Sequence, residues 1–391
     1  MARGRKPPPP CSQKYGKPIF SASWVPFHAI DFKEAKEEGG SEQKEEKEGG
    51  HAVSPPPLGY LILSGGGGDS RTGVKNSIFL SKFDFSSNSL SPPVDEFHTD
   101  GDLPYRTAVH PGGEGLICSF PKGCRWFEWD ASKDAEAHKL GLKSSEKNLK
   151  ELEDAGQQIA LTFNLDGSML ASGGEDGHLR VFKWPSMEMI VDQPNAHECV
   201  KDLDFSPEGK LLVSLGDSGP CRIWDLTSSA AVASLSGDKG ESFRFCRFSR
   251  VFDSKVLYMA TKKGEHGCIL TWDSGSWKRT TEKRIAQNPV SAFNISPDGK
   301  LLAIGTAEGD ILIADTLSMQ VQKKVKEAHL VFVTALEFSH DSRALVSASG
   351  DSSARVTLVE NKKQNGLNIP VLIFMILLAI VMYFLKMNKV F

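Results

Sequence analysis

The chain repeats itself, and the repeat limits what it can fold into. "IALTFNLDGSMLASGGEDGHLRVFKW" begins at Ile159, "VKDLDFSPEGKLLVSLGDSGPCRIWDL" at Val200, "VSAFNISPDGKLLAIGTAEGDILIADT" at Val290 and "VTALEFSHDSRALVSASGDSSARVTLV" at Val333. Each reads as an alternating strand, a turn built on Asp-Gly or its equivalent, an apolar strand, a Gly/Asp turn and a third strand. The turn acids Asp166, Glu208, Asp298 and Asp341 fall 42, 90 and 43 residues apart. The doubled interval holds one degenerate copy, "FRFCRFSRVFDSKVLYMATKKGEHGCILTW", from Phe243.

That period, with several short strands per unit, predicts propeller blades of the WD-repeat type. Two more blades precede these five. "YRTAVHPGGEGLICSFPKGCRWFEWD" starts at Tyr105, and "GYLILSGGGGDSRTGVKNSIFLSKFDF" starts at Gly59, opened by "KPIFSASW" at Lys17–Trp24. Seven blades close a ring and so remove exposed sheet edges. The expected fold is all-β, a seven-bladed WD-repeat-type β-propeller over residues 17–360, with residues 1–16 as an N-terminal tail.

Two charged stretches interrupt the rhythm. Residues 31–50 are a low-complexity acidic insert, and residues 131–157 a longer charged loop with room for a short helix; both read as solvated. After a polar linker, 361–368, comes "IPVLIFMILLAIVMYFL", 17 uncharged residues from Ile369 to Leu385. As a helix that run spans roughly 26 Å, enough for a thin bilayer such as that of the endoplasmic reticulum. A single C-terminal transmembrane helix over 369–385 is therefore expected, with 386–391 as a luminal tail. No secretory signal opens the sequence, so the propeller is expected to face the cytosol.

Composition removes other classes. The net charge is −3 and no basic stripe with interleaved aromatics occurs, so nucleic acid is not an expected partner. Seven scattered cysteines without a CxxC pair read as reduced thiols rather than a disulfide framework or a zinc site. No GxSxG or HExxH motif is present, and no covalent chemistry is expected. His110, His197 and His329 sit at blade starts, where hydrogen bonding within the blade is the expected role. Trp126, Trp184, Trp224 and Trp272 recur near the ends of third strands as packing residues.

One feature is left over. "LSGGGGDSRTGVKN", Leu63–Asn76, places about twelve residues between two strands of the first blade where two or three would turn the chain. It is not a phosphate loop, because GxxxxGK[ST] is missing and a strand rather than a helix follows. Glycines let backbone carbonyls converge on one point, which suits a hard, weakly polarising cation such as potassium. Gly65, Gly66, Gly67 and Gly68 would supply carbonyls, and Asp69, Ser70 or Asn76 a side-chain oxygen.

The glycine run, the degenerate propeller and the membrane-type segment together resemble the Sec12-like endoplasmic-reticulum exchange factors for the Sar-type small GTPase. "YGKPIFSASW" and "LPYRTAVHPGG" are similar to the plant branch of that family. The resemblance implies a guanine-nucleotide exchange factor at the endoplasmic reticulum membrane that starts COPII vesicle formation and ER-to-Golgi transport. It also implies that Gly65, Gly66, Gly67, Gly68, Asp69, Gly73, Val74, Lys75 and Asn76 form the exchange loop, holding potassium and contacting the GTPase. The family pattern ends Gly-Ile-Pro-Asn; here Gly73, Val74, Lys75 and Asn76 align with it, so Lys75 stands in place of proline. The alternative is a membrane-tethered propeller scaffold without exchange activity, similar to some plant relatives that assist exit of particular transporters, such as phosphate transporters, from the endoplasmic reticulum. Those lack the glycine run.

Overall fold

A computed structural model describes residues 9–29, 57–68, 70–130, 140–147 and 149–359. These form seven four-stranded antiparallel sheets, each hydrogen-bonded from its inner to its outer strand. The inner strands, Ile19–Trp24, Thr107–Val109, Gln158–Phe163, Val200–Phe205, Glu241–Phe248, Val290–Ile295 and Val333–Phe338, each touch the next, and the seventh returns to the first. The expected seven-bladed propeller is thus the observed fold. Blade five is complete despite its degenerate sequence: Ser249–Lys255 replaces the Asp-Gly turn, while the apolar run that makes its second strand persists, with Leu257, Tyr258, Met259 and Ala260 all buried.

The second strand of each blade is buried almost throughout, as in Gly115–Ser119, Leu301–Thr306 and Ala344–Ser349, so a blade has two apolar faces, which close only against neighbouring blades. Accordingly the core is a chain of inter-blade clusters. Leu179, Val181, Leu203 and Trp224 join blades three and four, for example, and Phe79, Phe83, Val346 and Val356 join blades one and seven. In six of the seven blades the inner strand carries a bulge near its start, as between Ile19 and Ser21. Such bulges add the local twist a radial sheet needs.

The ring closes by a strand that the sequence reading left in the tail. Ser12–Lys14 pairs antiparallel with Ser353–Leu358, placing Ser12 opposite Arg355 and Lys14 opposite Ser353. The N-terminus thereby supplies the outer strand of the last blade, and the propeller begins before residue 17. Three residues are too few to show a period, which is why the strand was invisible. The charged loop 131–157 is also corrected in part. Gly141–Ser144 is the outer strand of blade two, and Lys150–Leu152 forms a 3-10 turn whose Leu152 is buried beside Leu149.

The acidic insert 31–50, the linker 361–368, the apolar run 369–385 and the tail 386–391 lie outside the described residues. Among the described residues no helix is long and apolar enough to cross a membrane.

Strand direction alternates within each blade, so the ring has two distinct faces. Connections between blades, and loops from the second to the third strand, share one face. The remaining loops share the other. The glycine loop joins Leu58–Gly65 to Ser77–Asp84, the second and third strands of blade one, and so belongs to the inter-blade face. The last strand, Ser353–Leu358, is a third strand and runs toward the opposite face.

Candidate functional site

The glycine loop, residues 66–76, is tightly built despite its composition. A β-carbon on Gly66 would lie 2.1 Å from Asn76 Oδ1, and one on Gly67 would lie 2.2 Å from Thr72 Oγ1. Only glycine permits those approaches. Gly68 and Gly73 have φ of +77° and +71°, conformations that L side chains rarely adopt. Ser70–Thr72 makes a single 3-10 turn, and Thr72 Oγ1 accepts the Val74 N–H at 3.3 Å.

Asn76 pins this shape from inside. It is 2% exposed. Its Oδ1 accepts the Gly68 N–H at 3.0 Å, while its Nδ2 donates to Gly68 O at 2.7 Å and to Asp100 O at 3.0 Å. Its own carbonyl accepts the Thr99 N–H at 3.1 Å. One amide therefore clamps Gly68 reciprocally and ties the loop to the blade one–blade two connection. A buried amide left without those partners would be strongly unfavourable, so the clamp fixes the loop.

The root of the loop is held as firmly. Pro18 O accepts the Gly66 N–H at 3.1 Å. Lys17 Nζ donates to Ser77 Oγ at 2.7 Å and to the Glu96 carboxylate, and it lies over the Phe79 ring. Burial pushes the Glu96 carboxyl up, but hydrogen bonds from Lys17 and Ser77 outweigh it and hold the group below the usual carboxylate range.

Above this base Arg71, Thr72, Gly73 and Lys75 are exposed and Val74 is half-buried. The sequence-predicted residues thus divide by role. Gly65, Gly66, Gly67, Gly68 and Asn76 build the loop's inner framework, while Gly73, Val74 and Lys75 form its outward edge; Asp69 lies outside the described residues. Sequence reasoning did not single out Pro18, Lys17, Thr72 or Asp100: Pro18 and Asp100 act through backbone carbonyls, and the contacts of Lys17 and Thr72 form no motif.

Among the described residues no cluster of His, Cys, Asp and Glu offers a metal site. For a potassium ion the donors would be neutral oxygens. Gly68 O and Asn76 Oδ1 each accept one hydrogen bond and keep a second lone pair, so the donor chemistry fits a weakly bound monovalent cation.

The other candidates take structural roles. His329 is buried between Ser353 Oγ and Ser347 Oγ at 2.7 and 2.8 Å, and His110 Nε2 lies 3.1 Å from Gly167 O. His197 Nε2 meets Ser214 Oγ at 2.7 Å, and that oxygen also accepts Trp224 Nε1–H. Trp126, Trp184, Trp224 and Trp272 are buried. The seven cysteines are all unpaired.

Comparison with known proteins places these features. The WD domain, G-beta repeat model matches residues 147–183, 190–225 and 320–357. The chain is 53% identical over 355 residues to SEC12-like protein 2 of Arabidopsis thaliana, covering 90% of this chain and 88% of that one. It is 32% identical over 301 residues to SEC12-like protein 1 of the same plant, covering 75% and 74%. Against the guanine nucleotide-exchange factor SEC12 of Rattus norvegicus it is 27% identical over 373 residues, covering 79% and 87%.

Proposed function

The chain belongs to the SEC12-like family, and we propose that it is a guanine-nucleotide exchange factor for a Sar-type small GTPase at the endoplasmic reticulum membrane. The observation that carries this reading is the Asn76 clamp. It ties Gly68 and Asp100 to the end of the glycine loop, on the inter-blade face of the ring. A loop ordered before it meets its partner loses little entropy on binding, and can act as a wedge.

Exchange needs no bond chemistry. A factor that binds the nucleotide-free GTPase more tightly than the loaded form must, by linkage, weaken nucleotide binding by the same factor. In this reading Gly73, Val74 and Lys75 press on the GTPase, and Asn76 positions them without touching it. A potassium ion held by loop carbonyls stiffens the same structure. The apolar run 369–385 anchors the chain with its propeller in the cytosol. Activation is thereby confined to the membrane where COPII assembly starts and ER-to-Golgi transport begins. No covalent catalysis is involved.

The test is GDP release from a purified Sar-type GTPase with the full chain in nanodiscs. Wild type is expected to accelerate release, more in potassium than in sodium buffer. Asn76→Ala removes three hydrogen bonds of a buried amide, and is expected to lower the maximal rate by roughly a hundredfold, since each such loss costs about 1 kcal/mol. Full exchange activity in a folded Asn76→Ala protein would sink the assignment.

A further inference from the structure

A wedge alone does not make an interface. Stable protein–protein contacts bury about 800 Å² on each partner, a patch roughly 30 Å across. The glycine loop offers a handful of exposed residues, so further contact surface must lie beside it on the inter-blade face.

That face carries an apolar feature that the fold does not need. Leu330, Val331 and Phe332, in the connection from blade six to blade seven, are 57%, 39% and 49% exposed. They are the one run of three consecutive exposed large apolar residues among those described. Their backbone is held from both sides. The Asp351 carboxylate accepts the Leu330 N–H at 2.8 Å, and Ser349 Oγ donates to Phe332 O at 2.9 Å. His329, immediately before them, is locked between two serines. Val331 and Phe332 rest against Gly350, so the exposed part of the run is presented from a fixed base, as a preformed contact should be.

The run shares the inter-blade face with the loop, and the strand that closes the ring ties the two regions together. Ser352, next to Asp351, accepts the Tyr15 N–H at 2.8 Å through its carbonyl, and three residues later Pro18 O accepts the Gly66 N–H. Blade seven, which supplies Ser352, adjoins blade one. We propose that Leu330, Val331 and Phe332 are a second, apolar docking contact for the same GTPase. They hold its surface while the glycine loop works on the nucleotide site. The inference rests on the exchange reading given above.

Docking and wedging separate kinetically. With the full chain in nanodiscs, the GTPase concentration giving half-maximal GDP release is measured, together with direct binding of the nucleotide-free GTPase by fluorescence anisotropy. Phe332→Ser and Leu330→Gln are each expected to raise the half-saturating concentration and the Kd about tenfold, leaving the maximal rate unchanged. Leu317→Ser, at a residue 94% exposed on the opposite face, is expected to change neither. Unchanged half-saturation in both variants overturns the docking contact, as does an equal rise in Leu317→Ser. A wild-type chain that binds the GTPase without accelerating release overturns the exchange reading alone, and anisotropy with the variants then judges docking. A wild-type chain that binds no Sar-type GTPase overturns both.

Discussion

Blades one and three make the same connection, from second to third strand, in opposite ways. In blade three the four residues 175–178 turn the chain. Gly177 N–H donates to Gly174 O at 3.1 Å, Asp176 pairs with Arg180 at 2.6 Å, and Gly177 O accepts the His197 N–H. Those bonds serve the blade or its neighbour. In blade one eleven residues cover the same step, and the group that fixes them, Asn76, clamps Gly68 within the loop as well as binding Asp100 in the next connection. Asn76 does for the loop what Asp176 does for a strand. A fold that closes such steps with four residues has no structural need of eleven, and a long loop on a rigid scaffold is where the proposed partner contact belongs.

The largest effect should come from erasing the difference. Replacing residues 67–75 by a two-residue Asn-Gly turn between the same strands is expected to abolish stimulated GDP release. The melting temperature should hold or rise, because a shorter closure loses less entropy. Retained exchange in that variant would show that the loop is a spacer. A narrower contrast follows from the glycines. Gly66→Ala drives a methyl against Asn76 Oδ1, 2.1 Å away, and is expected to lower the exchange rate roughly tenfold, as a clamp strained by one or two kcal/mol would. Gly177→Ala, at φ +72° and 2.2 Å from His197 O, strains a turn with no role in exchange. It is expected to lower the melting temperature by about 2–4 °C for each kcal/mol of strain and to leave exchange at 25 °C unchanged. A reversed pattern, with exchange lost in the blade-three variant, would break the comparison.

The two regions were also unequally legible. Blade three is written in the sequence by alternation and by Asp-Gly turns, because those turns need particular residues at particular places. The glycine run announced an unusual loop for the same reason. Its fixing groups did not. The clamp joins Asn76 to backbone atoms of Gly68 and Asp100, and a backbone acceptor leaves no trace in residue identity. The ring closure through Ser12–Lys14 was hidden because a three-residue strand carries no period. The apolar run at Leu330 sat inside a repeat whose other apolar residues are core, and only solvent exposure distinguishes it.

Lys75 sharpens the comparison at its smallest scale. It occupies the outward edge of the loop, exposed, one residue before the clamp and two after the left-handed Gly73. Its φ is not positive, a condition proline requires, and a proline there would steer the preceding Val74 toward extended conformations. Lys75→Pro removes conformations from the free loop without touching the Asn76 contacts. Such substitutions stabilise by about 0.4–1 kcal/mol when the native geometry is already compatible. If the loop works by being rigid, exchange should rise about twofold to fivefold, with no matching change when an exposed residue of the blade-three turn is rigidified. A fall in exchange would mean instead that the Lys75 ammonium itself contacts the GTPase, and Lys75→Ala would then show the same loss.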